Sequence, residues 1–243
     1  MLKVYSKSDI GLVRQSNQDA FKSGVFPDHS AWVVVCDGMG GANGGNVASS
    51  VAVERISEHL VESYYDNLDD DAVKNLILSA IMNANLTVHD MASADAELSG
   101  MGTTVVAAVV SRGIAHIAHA GDSRAYLVTE NEIRQLTTDH SMVQEMVKNG
   151  DLTEQEAKQH PQKNIITRAL GVEAFIQLDY CEVPFQHGDL LLICTDGLTN
   201  YVEADQIYKL SKQMDANALT DQLITLAKDS GGGDNITVAI VEN

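Results

Sequence analysis

Four aspartates share one local pattern in this chain of 243 residues: each stands where an apolar run meets a turn that contains glycine. They are Asp37, Asp122, Asp196 and Asp234. Apolar runs such as residues 31–35 predict buried strands, and the ends of packed strands can converge on one edge. Two carboxylates about 5 Å apart repel by roughly 3 kcal/mol at an effective dielectric near 20. A convergent set would therefore need protons or cations.

This set of aspartates favours a site for hard cations. Carboxylates without nearby His or Cys ligands are typical of sites for Mg²⁺ or Mn²⁺. The alternative is four separate turn aspartates that each bond their own backbone. Asp37 taken alone, beside its loop of five glycines, fits a tight structural turn equally well. Arg14 adds a group that can bind a phosphate through two parallel hydrogen bonds, although alone it also fits a surface charge.

Several other kinds of site are excluded by the motifs that the chain lacks. It contains no Walker loop, no HExxH, no GxSxG and no kinase signature, and residues 38–43 miss the last glycine of a dinucleotide-binding loop. The three cysteines, Cys36, Cys181 and Cys194, show no CxxC spacing, and none has arginine six residues later. The spacing argues against a disulfide framework, a structural zinc site and a cysteine-dependent phosphatase.

Composition and charge narrow the class of protein further. A hydrophobic fraction of 44% supports a substantial core, and 16 Lys+Arg against 34 Asp+Glu give a net charge of −18. A field of that sign opposes nucleic acids and anionic membranes, so neither is expected as a partner. The chain has no apolar run of membrane-spanning length, and its first residues predict a strand rather than a signal peptide. We therefore expect a cytoplasmic protein, with a monomer as the default.

The elements that must position these residues form one predicted domain, residues 1–243. Apolar patterns predict helices near 47–63, after 69–71, at 203–211 and at 216–229, and strands over most of the remainder. These strands include 2–8, 20–26, 102–110, 113–120, 124–129, 132–136, 175–183 and 189–194. Between strands, residues 139–171 predict a polar, mostly helical insertion with a capping box at Thr153–Glu156. That insertion fits either a flap over a site or an ordinary connector.

Eight short motifs, in order along the whole chain, carry a resemblance to a known family. The sequence resembles the metal-dependent PPM, or type 2C, protein serine/threonine phosphatases in their compact bacterial form. The motifs are Arg14 with 17–19, 37–41, 102–104, 121–124, 139–140, 168–171, 195–197 and 234–236. The resemblance implies an α+β fold in which two packed antiparallel sheets are flanked by helices on both sides, with a small helical flap near 143–164.

The resemblance also implies roles for single residues. Asp37 would bridge two Mn²⁺ or Mg²⁺ ions, with the Gly38 carbonyl on one ion and Asp196 and Asp234 on the other. Asp122, together with Asp196, would hold a possible third ion. As further roles, Asp19 would orient metal-bound water and Arg14 would clamp the phosphate.

Two positions depart from the family pattern. Eukaryotic members usually have histidine, the proposed general acid, where this chain has Met39, and a thioether cannot transfer a proton. The acid for the leaving group is therefore unassigned, and His160 in the flap is one candidate. Gln18 stands where many members have glutamate, which removes a negative charge near the metals and would weaken cation affinity.

The expected function is hydrolysis of phosphoserine and phosphothreonine in proteins by a metal-activated water. By resemblance, the partners would be phosphorylated proteins and a cognate bacterial Ser/Thr kinase. Two other classes stay open at this point: a catalytically silent signalling module of the same fold, and a metal-dependent phosphoesterase for small molecules. Intact Arg14, Asp37, Asp196 and Asp234 argue against the silent module, since such a relative need not retain them.

Overall fold

Two antiparallel β-sheets form the centre of the computed structural model, which describes residues 1–243 except for the side chains of 41–43. The first sheet has the order β1 (Lys3–Asp9), β11 (Ile236–Glu242), β10 (Leu190–Cys194), β7 (Arg124–Val128), β8 (Ile133–Gln135). The second has the order β2 (Asp19–Val25), β3 (Ala31–Met39), β5 (Val105–Ser111), β6 (Ile114–Ala120), β9 (Asp179–Pro184). The two-residue β4 (Gly102–Thr103) pairs with the end of β3.

Helices cover the outer face of each sheet. The second sheet packs against α1 (Gly41–Ser63) and α2 (Asp70–Ala94), which a short 3-10 turn at Ala96–Leu98 follows. The first sheet packs against α5 (Asp196–Thr199), α6 (Ala204–Ser211) and α7 (Ala216–Asp229). The layers run helix, sheet, sheet, helix, so the predicted fold class is confirmed.

Strand β3 shows why its sequence is apolar without interruption. Val33 and Val35 point into the core between the two sheets, whereas Trp32, Val34 and Cys36 pack on the side of α1 and α2. A strand that is buried on both faces has no position for a polar side chain. Burial on both sides fixes the register of β3 and therefore the place where it ends.

The beginning of α1 differs from the prediction. The apolar spacing predicts a helix from Val47, but the helix begins at Gly41 because the glycine-rich segment forms its first turns. A Cβ on Gly45 would lie 2.9 Å from the side chain of Gln18 and 2.9 Å from the carbonyl carbon of Gly38. Close packing therefore selects glycine here, although glycine is a poor helix former.

Other local signals agree with the structure more closely. The side chain of Asp69 accepts a hydrogen bond from the backbone N–H of Ala72 and caps α2. Helix α7 has the predicted bounds. The strand predicted at 175–183 is shorter at its start, since β9 covers Asp179–Pro184.

The predicted insertion at 139–171 is helical in only two short pieces. These are α3 (Met142–Asn149) and α4 (Glu154–Gln159), and the predicted capping box at Thr153 and Glu156 is present. The remainder consists of turns and two isolated antiparallel bridges, one between Ser141 and Ile166 and one between Leu170 and Thr103. Within the part of the chain that the structure describes, none of the helices has the length and apolarity that crossing a membrane requires.

Candidate metal and phosphate site

Three of the four aspartates that the sequence predicts to form a cation site meet at one edge of the first sheet. Because neighbouring strands are antiparallel, the end of β10 lies beside the starts of β11 and β7. Asp196 comes two residues after β10, whereas Asp234 and Asp122 come two residues before β11 and β7. The shared strand–aspartate pattern in the sequence is therefore a consequence of one common edge.

The second sheet brings two more carboxylates to the same place. Asp37 lies near the end of β3 and Asp19 opens β2, and the two residues are paired directly across the strands. A cavity of about 570 Å³ opens here. Its lining includes Arg14, Gln18, Asp37, Gly38, Met39, Asp122, Asp196 and Asp234.

Backbone contacts hold Asp37 in position and leave its carboxylate to the cavity. Its backbone N–H donates to the Thr104 hydroxyl at 3.0 Å, and its carbonyl accepts from the Thr103 hydroxyl and the Thr104 N–H, both at 2.9 Å. The next residue, Gly38, cannot carry a side chain, because a Cβ would lie 2.0 Å from the carbonyl oxygen of Gly45. Hydrogen bonds thus fix the backbone of Asp37, and close packing requires glycine at the next position.

Asp19 is a buried carboxylate with one oxygen satisfied and one left unpaired. Its Oδ2 accepts from the hydroxyls of Thr195 at 2.9 Å and Thr237 at 2.6 Å. Its Oδ1 has no hydrogen-bond partner among the described residues. Burial raises the pKa of Asp19 to about 7 against the lowering effect of the two hydroxyls. An unpaired buried oxygen among other acids is what a bound cation or an ordered water would satisfy.

The acids of the cavity disfavour one another's charge. Burial, followed by repulsion from Asp19 and Asp196, raises the pKa of Asp37 well above its ordinary value. Burial and the charge of Asp196 raise the pKa of Asp122 to about 7. The pKa of Asp196 is also raised, by burial and by Asp234. The acidic side chains that could coordinate a metal ion here all offer carboxylate oxygens. The site therefore fits hard divalent cations, whose positive charge would offset the repulsion between the acids.

These pKa shifts predict how the stability of the metal-free protein depends on pH. A carboxyl whose pKa is higher in the folded than in the unfolded state holds its proton better when folded, so folding stability falls as pH rises between the two values. For Asp19 and Asp122 that window runs from about 4 to about 7. We expect the midpoint of thermal unfolding in EDTA to fall by several degrees between pH 5 and pH 8.

A matched pair of variants separates this effect from general surface repulsion. Asp122→Asn should flatten the pH dependence in EDTA, whereas Asp151→Asn, which removes one exposed charge from the flap, should leave it close to that of the wild type. Equal slopes for the two variants would contradict the assignment of the effect to the cavity.

Arg14 lies at the rim of the cavity, on the loop between β1 and β2. Its Nη2 donates to Oδ2 of Asp234 at 2.7 Å, and this bond raises the pKa of the guanidinium. The side chain of Asn235 organises the loop: its Oδ1 accepts from the Gln18 N–H at 2.8 Å, and its Nδ2 donates to the carbonyls of Ile10 and Ser16 at 3.0 Å. Sequence reasoning assigned Asn235 no role, and its position directly after Asp234 was the available signal.

His160 lies apart from the residues that line the cavity. It ends α4, and its Nδ1 accepts a hydrogen bond from the Gln162 N–H at 3.2 Å. Among the residues whose side chains are described, no histidine lines the cavity, and Met39 does line it. The structure therefore leaves the candidate acid in the flap without a contact to the aspartates.

A second cluster of possible metal ligands lies elsewhere, but its geometry opposes metal binding. His119, His140 and Asp179 offer atoms within 4.8 Å of one another. The two imidazole rings are stacked, 4.7 Å apart with an interplanar angle of 11°, so their in-plane lone pairs cannot meet at one ion. Arg168 already donates to Asp179 at 2.8 Å. Because the Gly121 N–H donates to Nδ1 of His140 at 3.2 Å, this cluster supports the turn that carries Asp122.

Comparisons with known proteins find relatives that match nearly the whole chain. The family model described as Protein phosphatase 2C matches residues 13–229. A serine/threonine phosphatase stp of Listeria welshimeri is 42% identical over 241 residues, which cover 97% of this chain and 94% of the relative. The structure of a Streptococcus agalactiae serine/threonine phosphatase superposes with a TM-score of 0.93 at 34% identity, covering 100% of this chain and 99% of the other.

One further solved structure bears on the chemistry of the site. It is the catalytic domain of the serine/threonine protein phosphatase PstP in complex with two manganese ions. It superposes with a TM-score of 0.87 at 30% identity, covering 99% of this chain and 97% of that chain.

Proposed function

Because this chain belongs to the protein phosphatase 2C family, we propose that its aspartate cavity is the active site of its protein serine/threonine phosphatase activity. The observation that supports this assignment is the meeting of five carboxylates and one arginine from both sheets at a single edge. Phosphorylated proteins are the substrate class of the family. A small-molecule phosphoesterase and a catalytically silent module are not favoured by the named relatives.

We assign the metal ligands to named residues of this chain. Asp37 and the Gly38 carbonyl, together with Asp196 and Asp234, would hold two Mn²⁺ or Mg²⁺ ions, and Asp122 with Asp196 would hold a third. The oxygen-only donor set, the raised pKa values of these acids and the two manganese ions of the PstP relative support the assignment. When bound, such ions lower the pKa of water towards 7 and offset the charge of the phosphoryl group.

The remaining groups of the site bind and orient. Arg14 presents a guanidinium to the phosphoryl oxygens at the cavity rim, where it would offset developing negative charge. Asp19 has one oxygen fixed by Thr195 and Thr237 and would use the other to orient the attacking water. No proton donor for the leaving group is assigned, since Met39 cannot supply one.

We propose the following cellular setting for the enzyme. Its substrates would include a cognate Ser/Thr kinase and the proteins that this kinase phosphorylates. The chain would act in the cytoplasm as a monomer, with residues 1–243 as one catalytic domain. Phosphoproteomics after deletion of the gene tests the substrate assignment, because the true substrates should gain phosphoserine and phosphothreonine.

Chelation tests the requirement for metal. With Mn²⁺ present, we expect release of phosphate from a phosphothreonine peptide, and after treatment with excess EDTA we expect at least about a 100-fold loss of rate. Addition of Mn²⁺ beyond the chelator should restore activity, which rules out irreversible unfolding. Activity that survived complete chelation would contradict the proposal. Faster turnover of nucleotide or sugar phosphates than of phosphopeptides would instead support the small-molecule phosphoesterase.

A further inference from the structure

The side-chain amide of Asn200 connects the aspartate cavity to the flap, because it forms hydrogen bonds with both Asp196 and Lys163. Its Nδ2 donates to Oδ2 of Asp196 at 2.9 Å, and its Oδ1 accepts from Nζ of Lys163 at 3.1 Å. The chemistry of the partners fixes the orientation of the amide, because a carboxylate only accepts and an ammonium only donates. Rotating the amide would break both bonds at once.

The backbone holds Asn200 close to Asp196. The Asn200 N–H donates to the carbonyl of Asp196 at 2.8 Å, so the two residues lie on one face of the short turn that follows β10. Side chains four residues apart in a helical turn are neighbours. The spacing of Asp196 and Asn200 in the sequence is therefore the signal that could have identified this contact.

Lys163 belongs to the flap, in the turns that follow α4. Its backbone N–H donates to the carbonyl of His160 at 3.1 Å. The next residue, Asn164, lines both the aspartate cavity and a neighbouring cavity of about 550 Å³ beneath the flap.

A second lysine of the flap provides a comparison. Nζ of Lys158 lies 2.6 and 2.8 Å from the two carboxylate oxygens of Glu203, at the start of α6. Both side chains of this pair are largely exposed, at 59% and 63%, and an exposed pair contributes little to stability. This contact holds the flap against the same part of the fold without contacting Asp196.

We propose that Asn200 is a positioning residue that couples the flap to the metal centre. When Lys163 is seated on its carbonyl oxygen, the amide presents its N–H to Asp196 and holds that carboxylate in one orientation. When the flap moves away, the amide is free to rotate, and the carboxylate loses its orienting donor. The inference rests on the proposed role of Asp196 as a metal ligand.

The test is a double-mutant cycle in which the Mn²⁺ affinity of each variant is measured by calorimetry, with Mn²⁺ alone as the ligand. We expect Asn200→Leu to weaken Mn²⁺ binding about 10-fold and Lys163→Met about 3-fold. Because Lys163 acts through Asn200, the double variant should be no weaker than Asn200→Leu alone. Lys163→Arg, which keeps a donor for the amide, and the control Lys158→Met should stay within about 2-fold of the wild type.

Further readouts distinguish positioning from a general structural role. The thermal midpoints of Asn200→Leu and Lys163→Met in EDTA should equal that of the wild type within about 2 °C. Hydrogen exchange at residues 160–166 should increase in both. With saturating Mn²⁺, kcat for a phosphothreonine peptide should recover in Lys163→Met while KM stays unchanged.

Three outcomes would overturn the inference, and they can be told apart. If the effects of Asn200→Leu and Lys163→Met multiply in the double variant, or if Lys163→Met binds Mn²⁺ like the wild type, the coupling is wrong. If Asp196→Asn retains the Mn²⁺ affinity of the wild type, the proposed ligand role of Asp196 fails, and the inference fails with it. Loss of binding in Asp196→Asn together with multiplying effects would reject the coupling alone.

Discussion

Asp37→Asn is expected to reduce kcat for a phosphothreonine peptide by at least about 1000-fold and, in EDTA, to stabilise the fold. The carboxamide keeps the size of the side chain but removes the charge that would bridge two cations. The same charge is repelled by Asp19 and Asp196 in the metal-free protein. Relief of this penalty should raise the thermal midpoint, by about 2–4 °C for each kcal/mol gained in a chain of this size.

Asp37→Asn should lose activity but gain stability in EDTA, and this combination makes the prediction specific to the cavity. Added Mn²⁺ should raise the thermal midpoint of the wild type and leave that of Asp37→Asn nearly unchanged, because only a native state that binds the ion is stabilised. Asp151→Asn removes a charge from the flap surface and should change neither activity nor the response to Mn²⁺. Undiminished activity in Asp37→Asn would remove the basis of the proposed site.

Arg14→Ala is expected to lower kcat/KM about 100-fold, through both a higher KM for the phosphopeptide and a lower kcat. A guanidinium forms two parallel hydrogen bonds to a phosphate, and loss of one such preorganised charged contact costs about 3 kcal/mol. The kcat/KM of Arg14→Lys should lie between the values for Arg14→Ala and the wild type, because the ammonium retains the charge without the fork geometry. Inhibition by inorganic phosphate should weaken in parallel with the rise in KM.

The control for Arg14 is another exposed arginine far from the cavity. Arg55 pairs with Glu58 one turn along α1, and its side chain is 57% exposed, close to the 49% of Arg14. We expect Arg55→Ala to keep the KM of the wild type. Because Nη2 of Arg14 donates to Asp234, a proposed ligand, Arg14→Ala should also alter Mn²⁺ affinity, so the KM of every variant is compared at saturating Mn²⁺. A large loss of Mn²⁺ affinity with unchanged KM would contradict the phosphate role.

Features that depend on neighbouring residues in the chain were predictable from the sequence. The capping box at Thr153, the cap at Asp69 and the bounds of α7 each follow from a few adjacent side chains. Where packing between distant segments overrides local preference, prediction was less accurate. The early start of α1 is one example, because glycine is selected there for close approach to Gln18 and Gly38 rather than for helix formation.

The acids of the site were predictable by type but not by arrangement. Each of the four strand-end aspartates stands where an apolar run meets a turn, and this pattern is visible in each local segment of the sequence. They are Asp37, Asp122, Asp196 and Asp234. The role of Asp19 was assigned only through the family resemblance, since its importance arises from its pairing opposite Asp37 and from its bond to Thr237, 218 residues away. No periodicity or motif in the chain encodes a contact of that separation.

By itself, the sequence determined that strands would end in carboxylates beside glycine turns, because apolar runs and turn residues are local properties. Only the tertiary structure decided that those ends share one edge, that Asn235 organises the loop of Arg14, and that Asn200 connects Asp196 to the flap. It also placed His160 apart from the cavity that Met39 lines. The physical reason is that antiparallel registry and sheet packing bring together residues whose separation along the chain carries no local signal.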